Sequence, residues 1–152
     1  MSDDLPADRL QRILDAADTI EDSLGVLARK RRTVDRETYR NDSDTRDVVE
    51  RRFVKTTEAA LDIGTVLVVH ELGHPPESNP ETMQALSDID VLSDELADEM
   101  AAAARFRNVL AHTYGDAIED EMVYDALEDL ERYQSFLVAV REYLDAMGAL
   151  GE

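Results

Sequence analysis

The sequence predicts an all-α protein, an up-and-down bundle of four long helices plus one or two short helices. Apolar residues recur at steps of three and four along almost the entire chain, and no stretch shows the strict alternation of a strand. The chain has 152 residues, of which 43% are hydrophobic, so it is long enough to bury one core. No repeat or shift in composition marks a boundary, and residues 1–152 are therefore predicted to form a single domain.

The first predicted helix runs from about Pro6 to Lys30. Its apolar positions step by three and four: Leu10, Ile13, Leu14, Ala17, Ile20, Leu24 and Leu27. Pro6 suits a first helical turn, where no amide hydrogen bond is lost. Residues 31–44 are polar and predict a connection, with one helical turn near Val34–Tyr39.

The second predicted helix has its caps at Ser43, Asp44 or Thr45 and continues to about Leu72, before Gly73 and a proline pair. Residues 66–69 are mostly β-branched but lie within the helical pattern, which predicts a fully buried stretch of this helix. A short helical turn is then expected from Asn79-Pro80-Glu81 through Leu86.

Two more long helices complete the predicted bundle. The third opens at Ser87 or Asp88 and ends at Gly115. Its inward positions are Ile89, Leu92, Leu96, Met100, Ala103, Phe106 and Leu110. The fourth spans about Asp120 to Met147, and its inward positions are Met122, Val123, Leu127, Leu130, Leu137, Val140 and Leu144.

The charge is strongly acidic. Sixteen basic residues stand against 35 acidic ones, which gives a net charge of −19, and the only lysines are Lys30 and Lys55. Such a surface predicts a halophilic protein, because the screening length falls to about 3 Å at 1 M salt and self-repulsion then largely vanishes. Residues 29–55 nevertheless hold ten basic residues and six acidic ones. This segment either binds phosphate groups or is a solvent-exposed helix end and loop.

Three absences narrow the class of protein. The chain has no cysteine, which excludes disulfides, Cys-based zinc sites and thiol nucleophiles. The longest uncharged apolar stretch, residues 63–70, is far too short to span a membrane. Residues 1–12 are acidic and lack the apolar core of a secretory signal. We therefore expect a cytoplasmic protein that has no membrane partner.

Residues 70–74 read His-Glu-Leu-Gly-His, a literal H-E-x-x-H. On a continuous helix this spacing places two imidazoles on one face to hold zinc, while the glutamate activates water. Pro75-Pro76 would end the helix at the second histidine, and Glu95 or Glu99 would have to supply the third ligand. The pattern is more typical of a polar helix end, so no metal site is expected, and a zinc hydrolase remains the third hypothesis for the function.

A second motif lies in the last turns of the third predicted helix, where residues 107–114 read Arg-Asn-Val-Leu-Ala-His-Thr-Tyr. It resembles the R-x4-H-x-Y signature of HepT-type toxins, a branch of the HEPN superfamily of small all-α ribonucleases. The stretches 59–63, 76–86 and 123–127 follow the same family's layout, and the resemblance covers about residues 7–145. It implies the HEPN fold and a toxin that cleaves RNA.

The residue types in the motif suit metal-independent cleavage of RNA. In that reaction the 2′-hydroxyl attacks the adjacent phosphate, so DNA is not a substrate and no cofactor is needed. His112 can move protons near neutral pH, and the planar guanidinium of Arg107 matches phosphate oxygens and can stabilise the crowded phosphorane. Asn108 lies four residues before His112, on the same helix face, and can orient the imidazole or the phosphate. A basic pair that merely complements the helix dipole is the competing interpretation.

The helical geometry of the motif predicts a dimer. At about 100° per residue, the inward face holds Phe106, Val109, Leu110 and Thr113, while Arg107 and His112 diverge by roughly 140°. Either the last turn loosens before Gly115, or a second surface completes the site. The resemblance implies the second solution, a two-fold homodimer whose motif helices line one shared cleft.

The resemblance also implies a partner and a modification. HepT-type toxins are kept silent by a minimal nucleotidyltransferase of the MntA type, which attaches AMP to the tyrosine at the position of Tyr114. We therefore expect the toxin of a type VII-like toxin–antitoxin system, neutralised by AMPylation of Tyr114. The alternative hypothesis from another class is a catalytically inactive HEPN fold that acts as a binding module.

Overall fold

The computed structural model of the chain describes residues 5–112 and 117–150, and the side chains of residues 5–110 and 121–150. The described chain is helical without a strand, which confirms the all-α prediction. Its helices are α1 (Ala7–Thr33), α2 (Arg36–Asn41), α3 (Ser43–Leu72), α4 (Asn79–Asp88), α5 (Asp94–His112), α6 (Ala117–Ala126) and α7 (Glu131–Ala146). A single 3-10 turn, Leu127–Asp129, lies between α6 and α7.

The two longest helices, α1 and α3, form the most extensive helix pair and run antiparallel. Arg52 on α3 bonds Asp22 on α1 at 2.9 Å, and farther along the pair Arg12 lies 3.8 Å from Asp62. α5 and α7 pack against the same core. There the hydroxyls of Thr57 and Tyr133 share a buried hydrogen bond of 3.2 Å between α3 and α7.

Helix α3 begins at a different cap from the expected residues 43–45. Asp42 is the N-cap, because its backbone is extended and its carboxylate accepts from the amides of Asp44 and Thr45 at 3.1 and 3.4 Å. Gly73 ends the helix in the left-handed conformation, φ 81°, as predicted. Residues 66–68 are buried, as predicted, whereas Val69, the last residue of the predicted buried stretch, is only partly buried.

The third long helix begins at Asp94, and its predicted start at Ser87 or Asp88 is wrong. The short helix α4 continues to Asp88, and the chain then turns through Asp90, φ 63°. The amides of Val91 and Leu92 both donate to the carbonyl of Leu86, at 2.9 and 3.2 Å, and their buried side chains hold this turn against the core. The apolar residues of this connection happen to follow the helical spacing of three and four, which is why the sequence placed the start of the helix too early. The predicted end at Gly115 lies outside the described residues.

The fourth predicted helix is divided in two. The chain tightens into the 3-10 turn, where Leu127 and Leu130 are both buried and Arg31 donates to the carbonyl of Leu127 at 3.4 Å. These contacts favour a tighter turn, which puts both leucines into the core. Met122 was expected inside, but it is 42% exposed because it precedes the break, on α6.

Helices α3 and α4 approach each other closely at Gly64. A β-carbon at this position would lie 2.7 Å from Cγ2 of Thr82 and 3.2 Å from Cδ1 of Leu86, both of which are buried. The absence of a side chain at Gly64 therefore allows this contact.

Candidate functional site

Helix α5, which carries the motif, packs on the core mostly through small side chains. Its buried residues in the first two-thirds are Ala97, Met100, Ala101, Ala103 and Ala104. Beyond them, Phe106 packs edge-to-face on Phe53 of α3, with ring centroids 5.6 Å apart. This aromatic pair fixes the rotation of α5 against α3 at the residue immediately before the motif.

Arg107 is held in the contact between α5 and α3. Its Nη2 donates to Oε1 of Glu58 at 2.5 Å, and its Nη1 donates to Oδ1 of Asn108 at 3.4 Å. The Arg107 side chain is 25% exposed, whereas that of Glu58 is 50% exposed. The buried Nε of Arg107 has no hydrogen-bond partner among the described residues. The guanidinium is therefore oriented by one carboxylate while part of its donor capacity stays unused.

The inward face of α5 differs from the predicted one. Leu110 is buried and Phe106 is partly buried, as expected, but Val109 is 38% exposed. Arg107 and Asn108 are half-buried, because Glu58 of α3 draws the guanidinium into the contact between the helices. The face that α5 buries is thus turned toward Arg107 and away from Val109.

The other motif residues are described only in part. His112 is the last residue of α5, five positions and therefore about 7.5 Å of helix rise beyond Arg107. Its side chain lies outside the described part of the structure, as do Thr113, Tyr114 and Gly115 entirely. The structure therefore brings Arg107 together with Asn108 and Glu58, and the geometry between Arg107 and His112 stays a prediction.

A cluster of charged and aromatic residues joins α6, the helix that follows the motif, to α2. Glu121 accepts hydrogen bonds from both Arg36 and Arg40, and Arg36 also bonds Asp125 at 2.7 Å. The Arg36 guanidinium lies 4.7 Å from the ring centroid of Tyr124. The hydrogen bond from Arg40, with the second arginine beside it, lowers the pKa of the Glu121 carboxyl. We call these five residues the α2–α6 clamp.

Much of the basic segment 29–55 is occupied by contacts within the chain. Arg31 bonds Glu131 at 3.2 Å, Arg46 donates to backbone carbonyls at the end of α2, and Arg52 bonds Asp22. Arg36 and Arg40 belong to the α2–α6 clamp. Half of the ten basic residues therefore stabilise the bundle, which favours the structural interpretation of the segment for those five.

The H-E-x-x-H sequence does not form the helical arrangement of a zinc site. Helix α3 ends at Leu72 and the chain turns away at Gly73, so His74 no longer shares a helix face with His70. Glu71 instead accepts a hydrogen bond of 2.5 Å from the hydroxyl of Tyr143. Burial and this contact with Glu71 raise the pKa of Tyr143 well above its usual range. No group of three potential ligands assembles within the described residues.

The sequence analysis missed Glu58 and the α2–α6 clamp. Glu58 meets Arg107 across a sequence separation of 49 residues, so helical periodicity alone gives no signal that pairs them. The clamp had a weak signal, since an arginine pair at positions 36 and 40 and an acidic pair at 121 and 125 each have the spacing of one helix face.

Over the two described ranges of the chain, no helix has both the length and the apolar character needed to cross a bilayer.

Comparison with known proteins finds one matching family and several solved structures with a similar fold. The family described as "Ribonuclease HepT-like" matches residues 13–140. A mutant MntA–HpeT toxin–antitoxin structure aligns with a TM-score of 0.76 and 18% identity, covering 87% of this chain and 98% of that one. The tri-AMPylated Shewanella oneidensis HEPN toxin in complex with MNT antitoxin gives the same TM-score and identity, covering 86% and 97%. A toxin–antitoxin structure with AMP-PNP aligns at 0.74 and 17% identity, covering 86% and 96%. No relative was found among curated proteins.

Proposed function

The chain belongs to the ribonuclease HepT-like family, and from this premise we propose that it is the toxin of a toxin–antitoxin pair, a metal-independent endoribonuclease. The observation that carries the proposal is the state of Arg107. The guanidinium is half-buried, oriented by Glu58, and retains an Nε donor without a partner among the described residues. A surface arginine that only complements a helix dipole needs none of these features.

The proposed reaction assigns one role to each motif residue. The 2′-hydroxyl of RNA attacks the adjacent phosphorus, and the bond from phosphorus to the 5′-oxygen breaks. His112 moves the proton of the hydroxyl or of the leaving oxygen. Arg107 stabilises the charge that develops on the phosphorane oxygens, while Asn108, which accepts from Arg107, positions the guanidinium or the phosphate. No metal ion is required by this scheme.

A homodimer is part of the proposal, because Arg107 and His112 diverge around one helix. Val109 lies between them in the sequence of α5 and is 38% exposed. An exposed apolar side chain beside a half-assembled site is consistent with a second copy that covers it. The two motif helices would then line one shared cleft.

The proposed partner is a nucleotidyltransferase antitoxin that attaches AMP to Tyr114. The fold neighbours include a HEPN toxin that is tri-AMPylated in complex with its MNT antitoxin, which supports the same regulation here. AMP at Tyr114 adds a bulky base and a negative phosphate two residues from His112. That phosphate can occupy the place of the scissile phosphate and so oppose RNA by bulk and by charge.

An RNA cleavage assay in EDTA tests the enzymatic part. Arg107→Ala and His112→Ala should each abolish cleavage that survives chelation in the wild type. Arg105→Ala is the matched control, because this exposed arginine lies two residues before Arg107 on the same helix. Circular dichroism checks that each variant keeps its helices. EDTA-sensitive cleavage would point to a zinc hydrolase, and no cleavage by the unmodified protein would point to a binding module.

Intact-mass measurement tests the regulatory part. Wild type incubated with an MntA-type nucleotidyltransferase and ATP should gain AMP-sized increments, and Tyr114→Phe should gain none. Tyr143→Phe serves as the control, since it also removes one phenol hydroxyl but lies on α7 beside Glu71. Increments that persist in Tyr114→Phe would move the modification to another residue.

A further inference from the structure

An open groove runs between α1 and α7, on the side of the bundle away from the motif. Its volume is about 510 Å³, and apolar side chains of both helices line it, among them Leu14, Leu24, Leu137 and Val138. α1 packs on α3 along its other flank, as the Arg52–Asp22 pair shows. The groove is thus separate from Arg107, which faces α3 from α5.

Apolar residues along this groove remain in contact with water. Val138 is 56% exposed, and Leu14 and Leu150 are 38% and 39% exposed. All three line the groove. In a chain with a net charge of −19, a contiguous apolar surface of this kind indicates a contact with another molecule.

Two charged residues that line the groove indicate which molecule binds there. Glu21 lines it from α1 and Arg141 from α7. Both lie ten residues from the Arg31–Glu131 pair that joins the two helices, so each stands about 15 Å from that pair along its own helix. Because α1 and α7 are antiparallel, the acid and the base are level across the groove. Neither forms an ion pair within the described residues.

We propose that a second copy of this chain docks in the groove through a two-fold axis that lies between the copies and runs parallel to the groove. This rotation exchanges the two walls of the groove and keeps the level of each residue, so it places Glu21 of one copy opposite Arg141 of the other, and does so twice. The four helices would bury the exposed leucines and valine in a continuous core.

Charge exchange tests this pairing without any assay of RNA cleavage. At about 0.15 M salt, Glu21→Arg and Arg141→Glu should each weaken the groove contact at least tenfold, because like charges then meet across it. The double exchange Glu21→Arg/Arg141→Glu should restore the wild-type mass in light scattering. Only a partner that carries the same two exchanges can be rescued in this way. Failure of the rescue would overturn the proposal.

A second pair of variants separates this contact from the dimer proposed at the motif. Val138→Glu should halve the wild-type mass, and the fold should tolerate it because Val138 is mostly exposed. Val109→Glu on α5 should instead open the dimer proposed at the motif and leave a groove dimer, so the double variant Val109→Glu/Val138→Glu should be a monomer. Circular dichroism confirms that both variants keep their helices. A Val138→Glu protein with the wild-type mass, or a Val109→Glu protein that is a monomer, would contradict the groove contact while leaving the proposed ribonuclease untouched.

Discussion

At the scale of single residues, the pairing of Arg107 with Glu58 has consequences for activity that differ from those for stability. Exposed ion pairs contribute only about 0–1 kcal/mol to folding, and the Glu58 side chain is half exposed. In the proposed mechanism, the same carboxylate nevertheless determines where the guanidinium points before the phosphate of the RNA binds. A fixed orientation affects a reaction rate more than it affects folding stability, because even a small displacement of a catalytic group lowers the rate.

Glu58→Gln should therefore lower kcat/KM for RNA cleavage by about tenfold, which corresponds to about 1.4 kcal/mol of transition-state stabilisation. The melting temperature should change little. Asp62→Asn is the matched control, since Asp62 lies four residues further along the same helix and pairs with Arg12 at 3.8 Å. Activity that falls only in proportion to the melting temperature would show that Glu58 has a purely structural role.

The environment of Tyr143 predicts that the protein loses stability at alkaline pH. Burial and its bond to Glu71 raise the pKa of the phenol in the folded protein, whereas the unfolded chain releases this proton near pH 10. The contribution is thus fully present below about pH 10 and declines as the pH rises above it. Denaturant unfolding of wild type and Tyr143→Phe between pH 8 and pH 11 measures it. The stability advantage of the wild type should shrink above pH 10, and a constant difference would contradict the assignment.

At the scale of helices, two glycines in helix interiors should respond oppositely to alanine. Gly64→Ala places a β-carbon against buried Thr82, which costs about 1–3 kcal/mol from overpacking, against about 1 kcal/mol gained in helix propensity. Gly25→Ala meets nothing within 4 Å and should stabilise α1 by about 0.5–1 kcal/mol. Thermal melts of both variants decide it. Equal shifts would mean that α3 and α4 can separate at no cost.

The sequence predicted helices better than it predicted their limits. Periodicity located α1 and α3, because their apolar stripes face one continuous core. It failed between α4 and α5, where Val91 and Leu92 are buried through a turn and bond the carbonyl of Leu86 instead of continuing a helix. It failed again at Leu127, which is buried in a 3-10 turn and whose carbonyl accepts from Arg31. In both places a tertiary contact decided the local structure.

The candidate site shows the same division. The local motif predicts Arg107, His112, Asn108 and Tyr114 as site residues because those residues are close in the sequence. That reasoning cannot find Glu58, since the packing of α3 on α5, with Phe53 against Phe106, brings Glu58 to the motif. The direction of Arg107 is likewise a property of the α3–α5 contact and not of the helical wheel.

At the scale of the whole molecule, the net charge of −19 predicts that the fold depends on salt. The screening length falls from about 10 Å at 0.1 M to about 3 Å at 1 M, so repulsion among the carboxylates should be largely removed in that interval. We expect the melting temperature to rise by about 5–10 °C, since each kcal/mol corresponds to about 2–4 °C in a chain of this size. Calorimetry between 0.1 and 3 M KCl measures it, and screening predicts a plateau near 1 M. A melting temperature indifferent to salt would rule out the halophilic interpretation.

The break between α6 and α7 divides the C-terminal part of the bundle into two units that respond to salt in opposite directions. α7 is anchored by core side chains such as Tyr133 and Phe136, whereas α6 depends partly on the α2–α6 clamp, whose ion pairs are exposed. Added salt therefore strengthens the body of the protein while it loosens the helix that follows the motif. Amide hydrogen exchange should slow in α1 and α3 as salt increases, and it should quicken in the last turns of α6. In concentrated salt, the helical core of such a protein would gain stability while helix α6, which follows the motif helix in the sequence, would lose it.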